Sequence, residues 1–236
     1  PQPAPKTLDW RPSSAKAFDI VGLVKGFQGA TPKRIKAKLA KAPSRKLADA
    51  HSVSFIQKVD DKLGKGPKRA AVHITRGTVD MPLGRFLKRV PAEKWGRLLD
   101  HYIGGVVKVA RRGRDGKAID QVERMVLTGL PGDLNIRALN LDMTKVERKV
   151  VDRDASGKIK RVTMFWRVHS SANRTTIMDV GSVAFEALAN GKTQVTFHSA
   201  HRLGKNGLQL PNMLVGGTLR SFFSDHIRHY RKLATQ

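Results

Sequence analysis

The sequence predicts an α+β fold in which helices come first, antiparallel strands follow and one long helix ends the chain. Apolar runs with a period of two recur between about 106 and 203, and segments rich in Gly, Asn and Asp separate them. Such segments are typical of hairpin turns, so the sheet should be an antiparallel meander. After Pro211, apolar residues follow a helical period instead.

Composition indicates a globular chain that can form a stable core without disulfide bonds. The 236 residues are 40% hydrophobic and include no cysteine. A chain of this length buries about 70–75% of its surface on folding, so disulfides are not required. The lack of cysteine excludes thiol catalysis, and no apolar run reaches the roughly 18 residues of a membrane-spanning helix.

Charge is the most unusual property of the chain. Lysine and arginine number 45 against 19 acidic residues, a formal net charge of +26. This excludes an acidic solvating protein and predicts attraction to nucleic acid or to an anionic lipid surface.

The first 66 residues are predicted to form a basic helical extension, and residues 67–236 the main domain. Helical spacing is present over 13–29, over a short segment after Thr31-Pro32, and over 46–63. The second helix is a candidate contact for a membrane surface or for nucleic acid, with a solvated basic face as the alternative reading. The membrane contacts proposed for it are Lys33, Arg34, Lys36, Lys38 and Lys41. The cationic end of the last helix, Arg228, Arg231 and Lys232, is a further candidate for contact with anionic lipid.

The chain opens on Pro1 in an extended, proline-rich stretch. A removed secretory leader would explain this opening, and a shortened chain would explain it equally well. We expect an exported, periplasmic protein, with a cytoplasmic location as the alternative.

The main domain is predicted to start with a strand and a helix. The strand covers 71–79, and the helix covers 81–102 with a break at Pro91 and a stop at Gly104-Gly105. Seven further strands are expected at 106–111, 122–130, 135–143, 145–152, 161–169, 175–188 and 192–203. The closing helix has an apolar face from Val215 to Leu233.

This order of elements resembles the START-like helix-grip superfamily, also called SRPBCC. The resemblance is carried by Gly-Lys-Thr-Gln-Val-Thr-Phe-His at 191–198, which leads through Leu210-Pro211 into the last helix, and by the proline, tryptophan and Leu-Asp pair within 90–100. It implies a curved antiparallel sheet wrapped around the C-terminal helix, with a tunnel between them for a hydrophobic ligand. Members bind or transfer lipids, cyclise polyketides or act as ligand-gated modules.

Candidate ligand contacts follow from the strand and helix periods. Alternation places one face of each of two strands inward, and the phase of 175–188 leaves open whether Asp179 or Ser182 accompanies it. Gly216 and Gly217 would let a ligand or a strand approach the helix backbone, with close packing as the alternative. The candidate contacts are Trp95, Met164, Trp166, Asp179, Val195, Phe197, Ser199, His201, Met213, Gly216, Gly217 and Phe223.

The sequence contains no clear catalytic or metal-binding motif. His198 and His201 lie three apart on a strand and should face opposite ways, which does not suit one metal ion. We expect neither a metal ion nor a cofactor, and we assign no catalytic residue. A polyketide cyclase or aromatase remains the alternative, because such an enzyme needs only a positioned acid or base, here His201, Asp179 or Glu123.

The partner favoured by these observations is a lipid or another hydrophobic small molecule, carried by a monomer that meets an anionic membrane transiently. Nucleic-acid binding is the third reading. The 14 aromatic residues fall mostly at core positions instead of alternating with arginine on an exposed sheet, which disfavours it.

Overall fold

The computed structural model describes residues 19–40, 50–60, 66–90, 102–127, 140–171, 176–205, 208–209 and 211–235. The helices are α1 (Ile20–Gly29), α2 (Lys33–Ala40), α3 (Leu83–Arg89) and α4 (Asn212–Thr235). The strands are β1 (His51–Val59), β2 (Lys68–Val79), β3 (Tyr102–Arg112), β4 (Ala118–Leu127), β5 (Leu141–Arg153), β6 (Ile159–Ser171), β7 (Thr176–Ala187), β8 (Thr193–Lys205) and β9 (Leu208–Gln209).

One antiparallel sheet organises the molecule. Its strand order is β1-β2-β8-β7-β6-β5-β4-β3, and the short β9 pairs with β8. Strands β3 to β8 form the predicted meander, and the β1–β2 hairpin joins it beside β8. The α+β prediction of an antiparallel sheet followed by a long closing helix is confirmed.

The two faces of the sheet are covered by different helices. Helices α3 and α4 pack on the face that we call the inner face, which carries Val183, Phe185 and Phe197. Helix α1 packs on the opposite, outer face. Alternation along each strand lets one sheet present two separate apolar surfaces.

Aromatic side chains join α3 and α4 to the inner face. Phe223 of α4 lies 4.7 Å from Phe197 between ring centroids, and Tyr230 lies 5.6 Å from Phe86 of α3. Phe86 also contacts Phe185 at 5.0 Å. Contacts of this kind add to the free energy of burying the rings, so they fix the second half of α4 on the sheet.

The N-terminal helices agree with their predicted apolar spacing where they are described. Helix α1 buries Val24 and Phe27, and α2 buries Ile35 and Leu39. The carboxylate of Asp19 accepts a hydrogen bond from the Gly22 backbone N–H at 2.8 Å and caps α1. The first part of the helix predicted over 13–29, residues 13–18, lies outside the described residues.

The helix predicted over 46–63 is wrong. Residues 51–59 form β1, which pairs with β2 from His51–Arg76 to Val59–Lys68. The spacing of three between Ala50, Val53 and Ile56 imitates a helix. In the structure Ile56 is 40% exposed, because pairing with the next strand, β2, sets the orientation of each side chain.

Two further boundaries differ from prediction. The helix expected over 81–102 ends at Arg89, residues 91–101 lie outside the described ranges, and Gly104-Gly105 is part of β3. Glycine fits at 105 because a Cβ there would clash with the Arg124 carbonyl oxygen on β4. The strands predicted at 135–143 and 145–152 meet as one strand, β5, with a register shift against β6 at Thr144/Lys145.

None of the described helices combines the length and the apolar composition that crossing a bilayer requires.

Candidate functional site

A line of polar side chains crosses the inner face from β4 to β8. These side chains are buried or nearly so and bond mainly to one another, so we call them the polar row. Its members are Gln121, Glu123, Lys145, Glu147, Asp179, Ser199 and His201.

The β7–β8 part of the row is centred on Asp179. Its Oδ1 accepts a hydrogen bond from Trp166 Nε1 at 2.7 Å and lies 3.4 Å from His201 Nδ1. The other ring nitrogen of His201 is 2.8 Å from Ser199 Oγ. The phase of β7 is thereby settled: Asp179 faces inward, whereas Ser182 accepts a hydrogen bond from Gln28 on the outer face.

Burial holds His201 neutral. It lowers the pKa of the imidazole, and although Asp179 acts in the opposite direction, the net shift is downward. A neutral His201 has one N–H and one free lone pair, so it can donate at one nitrogen and accept at the other. The hydroxyl of Ser199 can donate or accept a hydrogen bond, so it can match either tautomer of His201.

The β4–β5 part of the row is an ion-pair cluster around Lys145. Its Nζ lies 3.0 Å from Glu147 and 3.5 Å from Glu123, and it sits 5.8 Å from the centre of the Trp166 ring. Gln121 donates to the second oxygen of Glu147 at 2.7 Å.

Burial and neighbouring charges together shift the pKa values of Glu123 and Lys145 in this cluster. Burial raises the pKa of Glu123 to about 7, helped by the charge of Glu147 and opposed by Lys145. Burial alone would lower the pKa of Lys145, but Glu147, Glu123 and Asp179 outweigh it and the net shift is upward. Near neutral pH the cluster therefore holds a charged lysine beside a glutamic acid close to the midpoint of its titration.

A second polar group continues the line into β2 and β1. The ring of His73 bonds to Thr75 through Nε2 and lies 2.7 Å from Ser54 Oγ through Nδ1. It also stacks on Phe223 of α4 at 5.4 Å between ring centroids. Burial, followed by the charges of His201, Arg220 and His198, lowers the pKa of His73 to about 3.

An apolar zone lies beside the β4–β5 end of the row. Met125, Leu127, Met143 and Val168 form a buried cluster, and Phe222 of α4 packs against it. Helix α4 itself lies mainly over β1, β2 and β8. Methionine side chains adapt to irregular shapes, so this flank of the inner face suits a flexible apolar partner.

The structure brings most of the predicted ligand contacts together. Eight of them lie on the inner face or on the side of α4 that covers it: Met164, Trp166, Asp179, Val195, Phe197, Ser199, His201 and Phe223. Met213, Gly216 and Gly217 lie in the first half of α4. Trp95 lies outside the described residues.

Sequence reasoning missed Lys145, Glu147, Gln121 and His73 as members of the site. The signal was available for β5, because Lys145 and Glu147 flank Val146 in a strand of period two. All three lie in the predicted strand 145–152 as well as in β5, but the strand pattern alone does not show which of its faces is covered. His201 and His198 face opposite sides as expected, with His198 against Phe27 of α1 at 5.5 Å.

The predicted membrane contacts lie on two helices, with Arg228, Arg231 and Lys232 in the last part of α4 and the others in or next to α2. Lys33, Arg34, Lys36 and Lys38 are exposed, and Lys41 lies outside the described residues. Lys36 Nζ donates to the Gly29 carbonyl oxygen at 3.1 Å and so also ties α2 to α1.

A cavity of about 530 Å³ lies away from the polar row, between α1 and the end of the β1–β2 hairpin. Its lining includes Ile20, Leu23 and Phe27 together with Lys58 and Arg167. It is on the outer face, so it is separate from the inner-face site.

Comparison with known proteins gives matches at the level of structure. No protein-family model and no curated protein sequence matches the chain. Human StAR-related lipid transfer protein 5 superposes with a TM-score of 0.51 at 12% identity, covering 91% of this chain and 98% of that chain. Human STARD10 gives a TM-score of 0.50 at 10% identity, covering 86% of this chain and 78% of that chain.

An aromatase/cyclase, Zhui from Streptomyces sp. R1128, is more distant, with a TM-score of 0.43 at 11% identity over 78% of this chain and 91% of that chain. At such identities the likeness concerns the fold. The chain has the helix-grip fold of the START-like superfamily.

Proposed function

We propose that this protein binds a hydrophobic ligand, with a lipid as the first candidate, between the inner face of its sheet and α4. The observation that carries the proposal is the polar row, a hydrogen-bonded line of side chains within an otherwise apolar surface. Small-molecule sites are mostly apolar with a few placed polar groups that set orientation. The inner face has this composition.

The polar row also limits the polar group of the ligand. A further buried anion would lie near Glu147 and Asp179, and a further buried cation near Lys145. Each would add a desolvation cost and a repulsion. An uncharged hydroxyl or carbonyl meets donors and acceptors without either penalty, so we expect a neutral polar group at this point of the ligand.

Binding of fluorescent lipids to matched variants tests the proposal. Trp166→Ala removes an inner-face ring, and Phe165→Ala removes a buried ring on the outer face of the same strand. Both changes should destabilise the fold, so the pair controls for stability. With NBD-labelled cholesterol and NBD-labelled phosphatidylcholine as probes, we expect the first variant to lose at least about tenfold in affinity and the second to retain wild-type affinity.

The proposal fails if the wild-type protein binds neither probe. It also fails if Trp166→Ala, folded as judged by circular dichroism, binds both probes as the wild type does.

The proposed setting is transfer or sensing at an anionic membrane outside the cytoplasm. The net charge of +26 supports attraction to such a surface, because each lysine or arginine near it contributes about 1 kcal/mol. The exposed cations of α2 are one surface that could make the contact.

An enzyme of the cyclase or aromatase type is the second candidate, favoured by the contacts of His201. Asp179 on one side and Ser199 on the other orient this imidazole, and an oriented neutral imidazole can take up a proton. His201→Ala and Asp179→Ala distinguish the two candidates. Loss of a chemical turnover with probe binding intact supports the enzyme, and loss of binding alone supports the carrier.

A further inference from the structure

Three hairpin turns at one end of the sheet share one design. They join β3 to β4, β5 to β6 and β7 to β8, so the meander places all three at the same end. Each ends in Gly-Lys, with the glycine at a positive φ: Gly116 at 72°, Gly157 at 82° and Gly191 at 77°. In each turn the glycine N–H bonds to the carbonyl oxygen three residues earlier.

This geometry presents lysines at a regular spacing. Left-handed φ values favour glycine, so the turns keep their shape and the residue after each glycine has a fixed place. Neighbouring hairpins of a meander are two strands apart, which is about 10 Å. The lysines that follow are Lys117, Lys158 and Lys192, and the first two are exposed.

Helix α3 and the end of α4 bring further cations to the same end of the sheet. Helix α3 follows β2 here, and Thr193 at the start of β8 donates to the Met81 carbonyl oxygen at 2.7 Å. The end of α4 is held nearby, since Arg89 Nη1 donates to the Leu233 carbonyl oxygen at 3.0 Å. This end of the sheet is therefore formed by the three turns, which lie side by side, and by α3 and the end of α4, which lie next to them.

We call this end the turn face and define it by its charged residues. Fourteen are cations: Arg85, Lys88, Arg89, Arg111, Arg112, Arg114, Lys117, Arg153, Lys158, Lys160, Arg161, Lys192, Arg228 and Lys232. Six are acids: Asp80, Asp115, Asp152, Asp154, Glu186 and Asp225. All the cations except Lys192 are exposed. Two of the acids pair within the face, Asp80 with Lys192 and Asp225 with Arg228. Arg111 also pairs, at 2.9 Å, with Asp120, a buried acid of β4.

We propose that the turn face, in preference to α2, is the surface on which this protein docks to an anionic lipid bilayer. The inference rests on the membrane setting of the proposed function and names the surface that meets it. The reason is charge complementarity, because a broad face with more cations than acids matches the plane of anionic head groups at a membrane surface. Helix α2 offers four described cations along eight residues, a smaller and narrower set.

The chemistry of the turn face favours a bilayer over nucleic acid. Among the described residues of this end, no aromatic side chain is exposed that could stack on a base. Among the described residues near the turn face, Val151 on β5 is an exposed large apolar side chain, with 39% of its surface accessible. Docking should therefore be electrostatic and peripheral, strong at low salt and weak at high salt.

Vesicle co-sedimentation with two charge-matched variants tests the proposal. One carries Lys117→Glu, Lys158→Glu and Lys160→Glu on the turn face, and the other carries Lys33→Glu, Arg34→Glu and Lys38→Glu on α2. The two variants change net charge equally and differ in where they change it. All six residues are exposed, so we expect both variants to fold, which circular dichroism and thermal unfolding check.

With vesicles of phosphatidylcholine and phosphatidylserine in a 7:3 ratio at 0.1 M NaCl, we expect the turn-face variant to lose at least about tenfold in partitioning. The α2 variant should stay within about threefold of the wild type, and pure phosphatidylcholine vesicles should bind none of the three proteins.

Other results overturn the proposal. Equal loss in both variants would mean that net charge alone acts, and greater loss in the α2 variant would move the contact to α2. If the wild type binds a 30-base-pair DNA duplex at 150 mM salt more tightly than the anionic vesicles, the partner is nucleic acid. If the wild type binds no anionic vesicle, the membrane setting fails too, while ligand binding is judged separately with the fluorescent lipids.

Discussion

Close approach between β7 and β8 determines which residue can stand at position 181. A Cβ on Gly181 would lie 2.6 Å from the Ser199 Cβ and 2.9 Å from the His198 carbonyl oxygen. Real side chains do not approach so closely, so glycine is the residue that allows Ser199 to face the site beside His201. The polar row therefore depends on a residue that has no polar group.

Gly181→Ala should lower the free energy of unfolding by about 1–3 kcal/mol, because the added methyl group forces β7 and β8 apart. Urea unfolding measures it. Gly26→Ala on α1 is the control, since no atom lies within 4 Å of the position that its new methyl group would take, and it should be neutral or stabilise by up to about 1 kcal/mol. Equal effects of the two changes would contradict the close approach.

His73 should make the protein less stable in acid. Its pKa is lowered to about 3 in the fold, so below about pH 6.5 the unfolded chain binds a proton that the folded chain does not. Stability then falls as pH decreases, by about 2 kcal/mol from this residue between pH 7.5 and pH 5. Glu123, whose pKa is raised to about 7, contributes the opposite slope between about pH 4.5 and 7.

Comparison of the wild type with His73→Gln isolates the histidine contribution, because Glu123 is common to both. The loss of stability on going from pH 7.5 to pH 5, measured by urea unfolding, should be smaller in the variant by about 2 kcal/mol. An identical pH dependence in the two proteins would show that His73 is not held neutral by its surroundings.

At the scale of elements, α4 is attached to the sheet by a few large contacts. Phe223 lies within 6 Å, between ring centroids, of Phe197, His73 and His201. Gly77 of β2 allows close approach of the helix, since a Cβ there would lie 2.6 Å from the Ile227 Cγ2. This attachment sets the distance between α4 and the polar row.

Phe223→Ala should therefore cost about 3–5 kcal/mol of stability through the lost burial and the cavity left behind. Thermal or urea unfolding measures it. Ile56→Ala, at a position 40% exposed, serves as the control and should cost under about 1 kcal/mol. A small effect at Phe223 would mean that α4 is held mainly by other contacts.

Elements with long, regular periods were predictable, whereas contacts that depend on the register between two strands were not. The apolar spacing of α4 and the alternation in β6, β7 and β8 appear in the local sequence, because burial on one face leaves that trace. The state of β1 depends on its pairing with β2, and the role of Lys145 depends on Glu123 from another strand. Each of these partners lies on the neighbouring strand, so a pattern read within one strand does not reveal it.

At the scale of the whole molecule, an excess of positive charge opposes the compact state. The net charge of +26 is a source of self-repulsion that salt screens. The turn face concentrates part of that repulsion in one place, which a bound anionic surface would relieve.

Raising NaCl from 20 mM to 300 mM should therefore increase Tm by several degrees, roughly 1 kcal/mol or more of stability. Differential scanning fluorimetry measures it, and the turn-face charge-reversal variant should show a smaller rise. A Tm that is unchanged or falls with salt would contradict the assignment of a net repulsive surface.

Native mass spectrometry of the purified protein tests the central proposal, ligand binding at the inner face, most directly. We expect a species heavier than the chain by the mass of one lipid, released by organic solvent. The same species should be present in Phe165→Ala and absent in Trp166→Ala. A wild-type protein that shows only the mass of the bare chain, before and after incubation with lipid vesicles, would contradict it.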